Sequence, residues 1–224
     1  MEKLNIAIDG PAGAGKSTVA RKVAVELGLT YIDTGAMYRA LTWKALEQGI
    51  DLNDEVSVGK LAYSTKIRLI RSLEGSLRVE CDGLDITDKI REPAVSGVVS
   101  TVAAYPAVRK RMVEMQLAMA ARGGVIMDGR DIGTQVLPHA KFKFFLTASL
   151  AERARRRWLE LVSLGFNPDL QELVAQISAR DKQDENRETA PLTVAPDAAV
   201  IDTGGLSVDE VVNKIVGLVT GNSE

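Results

Sequence analysis

The stretch "GPAGAGKST", residues 10–18, constrains the fold of this chain more than any other part of the sequence. It follows a short apolar run, "LNIAI", and a single acid, Asp9. From Lys16 onward apolar residues recur at helical spacing until Gly28, which favours a helix over residues 16–27. The stretch therefore connects a predicted buried strand to a predicted helix, and it matches the pattern G-x-x-x-x-G-K-[ST].

This pattern is typical of a phosphate-binding loop, or P-loop. Its glycines permit backbone conformations that are closed to other residues, so that successive N–H groups can converge on an anion. The following helix adds the positive end of its dipole. Lys16 is expected to reach the β- and γ-phosphates of a nucleoside triphosphate, and Ser17 is expected to bind Mg²⁺. The predicted nucleotide-binding residues are Gly10, Pro11, Ala12, Gly13, Ala14, Gly15, Lys16, Ser17 and Thr18.

Strand-like and helix-like segments alternate along much of the remaining chain, which favours an α/β fold with a three-layer parallel sheet core. Segments 66–72 and 76–83 alternate around a turn at Glu74-Gly75 and predict a small antiparallel sheet. The other predicted strands are 30–33, 124–129, 140–147 and 198–205, and the other predicted helices are 35–49, 106–122, 149–165, 169–183 and 207–219, with a further helical pattern from about Ala94.

Composition excludes several classes of protein and site. The 224 residues carry a formal net charge of −2, so no basic excess favours nucleic-acid binding. The single cysteine, Cys81, excludes an internal disulfide and a zinc site built from cysteines. The sequence shows no signal-peptide pattern at its start and no apolar run as long as a membrane span. We therefore expect a cytoplasmic protein without nucleic-acid or membrane partners, and a monomer, because few motifs lie outside the predicted site.

Phosphate binding alone leaves open a switch GTPase, a motor or ATPase, and a small-molecule kinase. No N-K-x-D string, the usual guanine reader, occurs in the sequence, and a motor needs a longer chain. A kinase needs a second, arginine-rich pocket, and Arg39 and Arg130 each follow a predicted strand, where parallel sheets bind ligands. Arg153, Arg156 and Arg157 share one face of a predicted helix, which suits either a solvated surface or a lid over ATP.

Four segments together resemble the bacterial cytidylate kinases: "GPAGAGKST", "YIDTGAMYR", "MDGRDIGT" and "RDKQDENRETAPL". The resemblance covers essentially the whole chain, in order. It implies the fold of nucleoside monophosphate kinases, with a P-loop core (1–35, 101–149 and 189–224), an acceptor-binding insert containing the small sheet (36–100) and a short helical lid (150–188). It also implies transfer of the γ-phosphoryl group of ATP to CMP or dCMP, with Mg²⁺, giving ADP and CDP or dCDP.

The resemblance assigns roles to individual residues. The residues expected to be catalytic are Lys16, Arg130, Arg153 and Arg157. Ser17, from the P-loop pattern, and Asp128, from the resemblance, are expected to hold Mg²⁺, the latter through water. The implied CMP-binding residues are Arg39, Arg130 and Arg187 for phosphate, Ser100, Arg109 and Asp131 for cytosine, Arg180 and Asp184 for the sugar, and Thr34 as a further contact.

The assignment of Asp131 predicts a choice between bases. N4 of cytosine is a donor that a carboxylate can accept, whereas uracil presents a carbonyl at the same position. An unpaired buried group is costly, so CMP should be preferred to UMP. Two alternatives stay open: another small P-loop kinase acting on UMP, AMP or a non-nucleotide acceptor, and a nucleotide-binding switch or regulatory protein with little turnover.

Overall fold

The computed structural model describes residues 4–71 and 77–221. The described residues form eight strands: β1 (Asn5–Asp9), β2 (Thr30–Asp33), β3 (Ile67–Arg71), β4 (Leu77–Cys81), β5 (Leu84–Asp85), β6 (Val125–Asp128), β7 (Phe142–Thr147) and β8 (Ala199–Asp202). They also form eight α-helices: α1 (Lys16–Glu26), α2 (Thr34–Glu47), α3 (Glu55–Ser64), α4 (Pro93–Ala104), α5 (Pro106–Ala120), α6 (Leu150–Ser163), α7 (Leu170–Asn186) and α8 (Val208–Thr220). Two short turns complete the set, a 3₁₀ turn at Lys89–Arg91 and a π-helical turn at Ile132–Val136.

The main sheet has five strands in the order β2-β6-β1-β7-β8. The central strand β1 pairs in parallel with β6 and β7, and β7 pairs in parallel with β8. Because β1 and β6 are parallel neighbours, the P-loop after β1 and the "GRD" segment after β6 leave the same edge of the sheet. Ligands bind at this edge in open parallel sheets.

Both faces of this sheet are covered. Ile6 and Ile8 of β1 join a buried cluster with Val23 of α1 and Val212 of α8, so these helices cover one face. Ala7 points to the opposite face, since strand residues alternate, and it is also fully buried. The α/β core with a parallel sheet and flanking helices, predicted from the sequence, is confirmed.

The chain divides into two compact units, Met1–Ile32 with Ala120–Glu224, and Asp33–Met119. The second unit has its own core, in which Met37 of α2, Val99 of α4 and Met112 of α5 are buried together. Residues 101–119 therefore belong to this unit, whereas the sequence analysis grouped them with the P-loop core.

The second unit contains the predicted antiparallel sheet, in which β3 pairs with β4 and β4 with β5. The predicted turn at Glu74-Gly75 lies outside the described residues. Helix α3 was not predicted. Turn-forming residues precede it, and Asp54 caps it by accepting the N–H groups of Val56 and Ser57.

Helix ends follow the local chemistry of the sequence. Ser149 caps α6 and Ser207 caps α8, and Glu210 completes a capping box with Ser207. Gly221 ends α8 in the left-handed conformation. No helix within residues 4–71 and 77–221 is both long enough and apolar enough to cross a bilayer.

Candidate active site

The P-loop backbone packs too closely against its neighbours to carry side chains at two of its glycines. A Cβ atom added to Gly10, where φ is +142°, would lie 2.0 Å from the carbonyl oxygen of Leu146 on β7. A Cβ atom added to Gly13, where φ is +77°, would lie 2.9 Å from the carbonyl oxygen of Arg153 on α6. Both positions therefore require glycine, for space and for conformation.

The N-terminus of α1 is available to an anion. Its N-cap is Gly15, which has no side chain to accept the first N–H groups, and no acid lies in the first turn. Such a helix end leaves backbone donors and the positive end of the dipole for a ligand. This is the backbone geometry that the P-loop pattern predicts.

Lys16 is the cation of the P-loop and is almost fully buried. Its Nζ donates to the carbonyl oxygen of Pro11 at 2.7 Å, so the side chain lies back along the loop. Burial lowers the pKa of Lys16 well below its ordinary value; Arg130 and Arg180 lower it further, while Asp128 and Asp9 raise it. A phosphate group beside this ammonium would favour its charged form again.

Ser17 and Asp128 lie together, although they are far apart in sequence. The Ser17 hydroxyl donates to Oδ2 of Asp128 at 2.7 Å, and the Tyr31 hydroxyl donates to Oδ1 at 2.8 Å. A hydroxyl and a carboxylate are hard oxygen donors of the kind that Mg²⁺ prefers. Within the described ranges, no group of three or more acids, histidines or cysteines is placed to hold a metal ion.

Arginines and acids alternate around the segment that follows β6. The Nε of Arg130 donates to Oδ2 of Asp184 at 2.8 Å, and Arg187 forms an ion pair with Asp131 at 3.6 Å. Although burial raises the pKa of Asp184, the charges of Arg130, Arg180 and Arg187 hold it below its ordinary value. Three arginines predicted to bind CMP therefore surround one buried carboxylate, and two of them also act on Lys16.

The arginines of α6 make different contacts from one another. Arg153 is buried, donates to the carbonyl oxygens of Ala148 and Ala12, and pairs with Asp181 at 2.6 Å. Arg156 donates to the Thr203 hydroxyl at 2.9 Å, and that hydroxyl donates to the P-loop carbonyl of Ala14 at 3.3 Å.

Arg157 forms an ion pair with Glu160 on its own helix. The shared helix face predicted from spacing thus directs Arg153 and Arg156 to the P-loop, while Arg157 also has a partner within α6.

The second unit contains the other four predicted site residues. Arg39 donates to both carboxylate oxygens of Asp33, the N-cap of α2, and Thr34 is the buried first residue of that helix. Ser100 on α4 and Arg109 on α5 are both buried; Arg109 donates to the carbonyl oxygen of Ala103 and lies over the Tyr38 ring, 5.9 Å from its centroid.

Sequence reasoning missed four residues that hold these groups. Asp33 orients Arg39, Tyr31 orients Asp128, and Thr203 links α6 to the P-loop. The fourth, Asp9, accepts hydrogen bonds from the backbone after Asp131. Only Asp9 carried a signal in the sequence, as an acid that ends a buried apolar strand directly before the P-loop.

Comparisons with known proteins identify the family of this chain. Residues 6–221 match the sequence pattern of the family described as "Cytidylate kinase". The chain is 55% identical over 216 residues to a cytidylate kinase from Pelotomaculum thermopropionicum, covering 96% of each chain. It is 54% identical over 217 residues to a cytidylate kinase from Desulfitobacterium hafniense, covering 97% of this chain and 93% of the relative.

Among solved structures, that of an uncharacterized protein from Eubacterium ventriosum has a TM-score of 0.52 at 12% identity, covering 98% of this chain and 99% of the other. At that identity the likeness concerns the fold alone.

Proposed function

Since the chain belongs to the cytidylate kinase family, we propose that it transfers the γ-phosphoryl group of ATP to CMP or dCMP, giving ADP and CDP or dCDP. The observation that carries this proposal is the meeting of Lys16 with Arg130 and Arg180 at the sheet edge that bears the P-loop. A nucleotide switch needs only Lys16, because it holds a nucleotide and no second anionic substrate. A kinase also needs the arginines, because its acceptor is itself a phosphate.

The donor is held by the P-loop, residues 10–18. Backbone N–H groups of the loop and of the first turn of α1 bind the phosphates, and Lys16 neutralises the charge that develops on the transferred group. Ser17 and Asp128 would hold Mg²⁺, with Asp128 acting through water. When bound, the ion supplies positive charge to the β- and γ-phosphates.

The acceptor phosphate is already anionic, so the reaction needs alignment and charge neutralisation more than a general base. We assign the binding of the acceptor phosphate to Arg130 and Arg187, and, from the family resemblance, to Arg39. Of the arginines on α6, Arg153 and Arg157 are the candidates to contact the transferred phosphoryl group. For Arg153 this requires release from Asp181, with which it pairs at 2.6 Å.

The remaining CMP ligands are assigned by their chemistry and by the family. Asp131 accepts from N4 of cytosine, while Ser100 and Arg109 donate to the ring acceptors. Arg180 and Asp184 contact the sugar, and Thr34 supplies a further hydroxyl. We expect the protein to act as a cytoplasmic monomer, without nucleic-acid or membrane partners.

A coupled assay of ADP release tests the proposal. The protein is mixed with ATP and Mg²⁺, first alone and then with CMP, dCMP, UMP or AMP. We expect ADP release that depends on the acceptor and is fastest with CMP or dCMP. Tight ATP binding without acceptor-dependent release supports a switch instead, and fastest release with UMP or AMP supports another small kinase.

A further inference from the structure

Asp9 is a buried acid that the reaction described above does not use. It ends β1, and its carboxylate accepts the backbone N–H groups of Ile132 at 2.8 Å and Gly133 at 2.7 Å. Only 5% of its surface is exposed. Both carboxylate oxygens are therefore committed to one short piece of backbone more than 120 residues away in sequence.

This backbone belongs to the acceptor-side segment, which we define as residues 129–133. The segment is fixed to β1 at both ends, because the N–H of Gly129 also donates to the carbonyl oxygen of Ile8 at 2.9 Å. Between the two attachments lie Arg130 and Asp131, which we propose to bind the acceptor phosphate and the cytosine base. Hydrogen bonds to β1 therefore hold the backbone both before and after these two residues.

Close packing around Gly133 also restricts the segment. A Cβ atom added to Gly133 would lie 3.2 Å from Oδ2 of Asp9 and 3.2 Å from Cδ of Lys143. Lys143 is itself held, since its ammonium pairs with Asp197 at 2.8 Å. Gly133 therefore lets the backbone approach the Asp9 carboxylate closely, and any larger residue has to displace one of two fixed side chains.

Burying the Asp9 carboxylate costs free energy, which indicates that its two backbone hydrogen bonds contribute to function. Burial raises the pKa of Asp9 to about 6, against the two backbone hydrogen bonds and Lys16, which lower it. A neutral residue would end the strand without that cost. Buried charges that are retained at a cost in stability are often found at functional sites.

We infer that Asp9 is a positioning residue for acceptor binding: through Ile132 and Gly133 it fixes Arg130 and Asp131, and it connects them directly to the P-loop that begins at Gly10. This inference rests on the proposed function. Asp9 touches neither substrate in this scheme and acts through the backbone of the acceptor-side segment.

The Asp9→Asn variant tests the inference, since an amide of nearly the same size places an NH₂ group against one of the two backbone donors. The matched control is Asp54→Asn, because Asp54 also accepts two backbone N–H groups, at 3.1 Å each, but does so at the exposed start of α3. Steady-state kinetics are measured for both variants with ATP, CMP and UMP.

We expect Asp9→Asn to raise KM for CMP about tenfold and to lower the CMP/UMP ratio of kcat/KM, with a much smaller change in KM for ATP. Asp54→Asn should leave both KM values and the CMP/UMP ratio unchanged. Equal changes in both KM values with an unchanged CMP/UMP ratio would show a purely structural role and overturn the inference. A wild-type protein that does not phosphorylate CMP contradicts the proposed function itself.

A second variant and a second readout keep the test decisive if Asp9→Asn folds poorly. Gly133→Ala disturbs the same contact while leaving the carboxylate in place, and it should lower the CMP/UMP ratio in the same direction. Hydrogen exchange should be faster at the amides of Ile132 and Gly133 in Asp9→Asn than in wild type. Unchanged exchange at these two amides contradicts the inference.

Discussion

The P-loop and the acceptor-side segment leave neighbouring strands of one sheet but are held in different ways. The P-loop takes its shape from its own glycines, which let it pack against Leu146 and Arg153. The acceptor-side segment takes its shape from side chains elsewhere in the chain: Asp9 holds its backbone, and Asp184 holds Arg130.

The two sites therefore depend on the sequence in different ways, one on a local pattern and the other on contacts between distant residues. The donor site carries its signal in nine consecutive residues, so a local pattern between a strand and a helix is enough to recognise it. The acceptor site is encoded in contacts between distant positions. Variants of the P-loop should therefore change stability or phosphoryl transfer without changing the choice of acceptor, and variants around residues 129–133 should change that choice.

The largest effect is expected for Gly10→Ala. Its Cβ atom would lie 2.0 Å from the backbone oxygen of Leu146 on β7. Because β1 and β7 are paired strands in the centre of the sheet, neither can move away to relieve this clash. We expect the free energy of unfolding to fall by about 4 kcal/mol or more, measured by chemical denaturation. The matched control is Gly28→Ala, where φ is +65° and no atom lies within 4 Å, so that only backbone strain of about 1–2 kcal/mol applies. Equal losses in the two variants would contradict the close packing of the P-loop.

Lys16→Met removes the buried cation of the P-loop while preserving much of its apolar stem. We expect kcat to fall about 100- to 1,000-fold, the usual loss when one group that stabilises transition-state charge is removed. The CMP/UMP ratio of kcat/KM should stay as in wild type. Lys22→Met serves as control, since Lys22 is exposed on α1 and pairs with Asp209 on the surface. A changed acceptor preference in Lys16→Met would break the distinction between the two sites.

A smaller effect concerns the pH dependence of stability. Burial raises the pKa of Asp9 from an ordinary 3.8 to about 6, with Asp131 raising it further and Lys16 opposing. The unfolded chain therefore releases this proton at lower pH than the folded one, and stability is lost as pH rises from about 4 through about 6. The unfolding free energy of wild type, minus that of Asp9→Asn, should fall by about 2.4 kcal/mol between pH 4 and pH 7. A constant difference would show that the pKa of Asp9 is the same in the folded and unfolded chains, and would contradict a pKa raised by burial.

The sequence predicted the fold and the backbone of the P-loop because both depend on local patterns. Apolar spacing placed α1, Gly28 marked its end, and the P-loop pattern placed Lys16 beside a helix N-terminus. It also placed Arg130 at the ligand-binding edge, since that residue follows a strand. Contacts such as Asp9 with Ile132, or Tyr31 with Asp128, join positions about 100 residues apart. No periodicity records such pairings, so they emerge only once the sheet order is known.

The most direct test of the account is the acceptor preference of Asp131→Ala. Asp131 is buried between the two attachments that fix the acceptor-side segment, and we propose that its carboxylate accepts from N4 of cytosine. We expect the CMP/UMP ratio of kcat/KM to fall about tenfold or more, because the amino group of a buried cytosine then loses its partner. A ratio equal to that of wild type would contradict the claim that this segment chooses the acceptor.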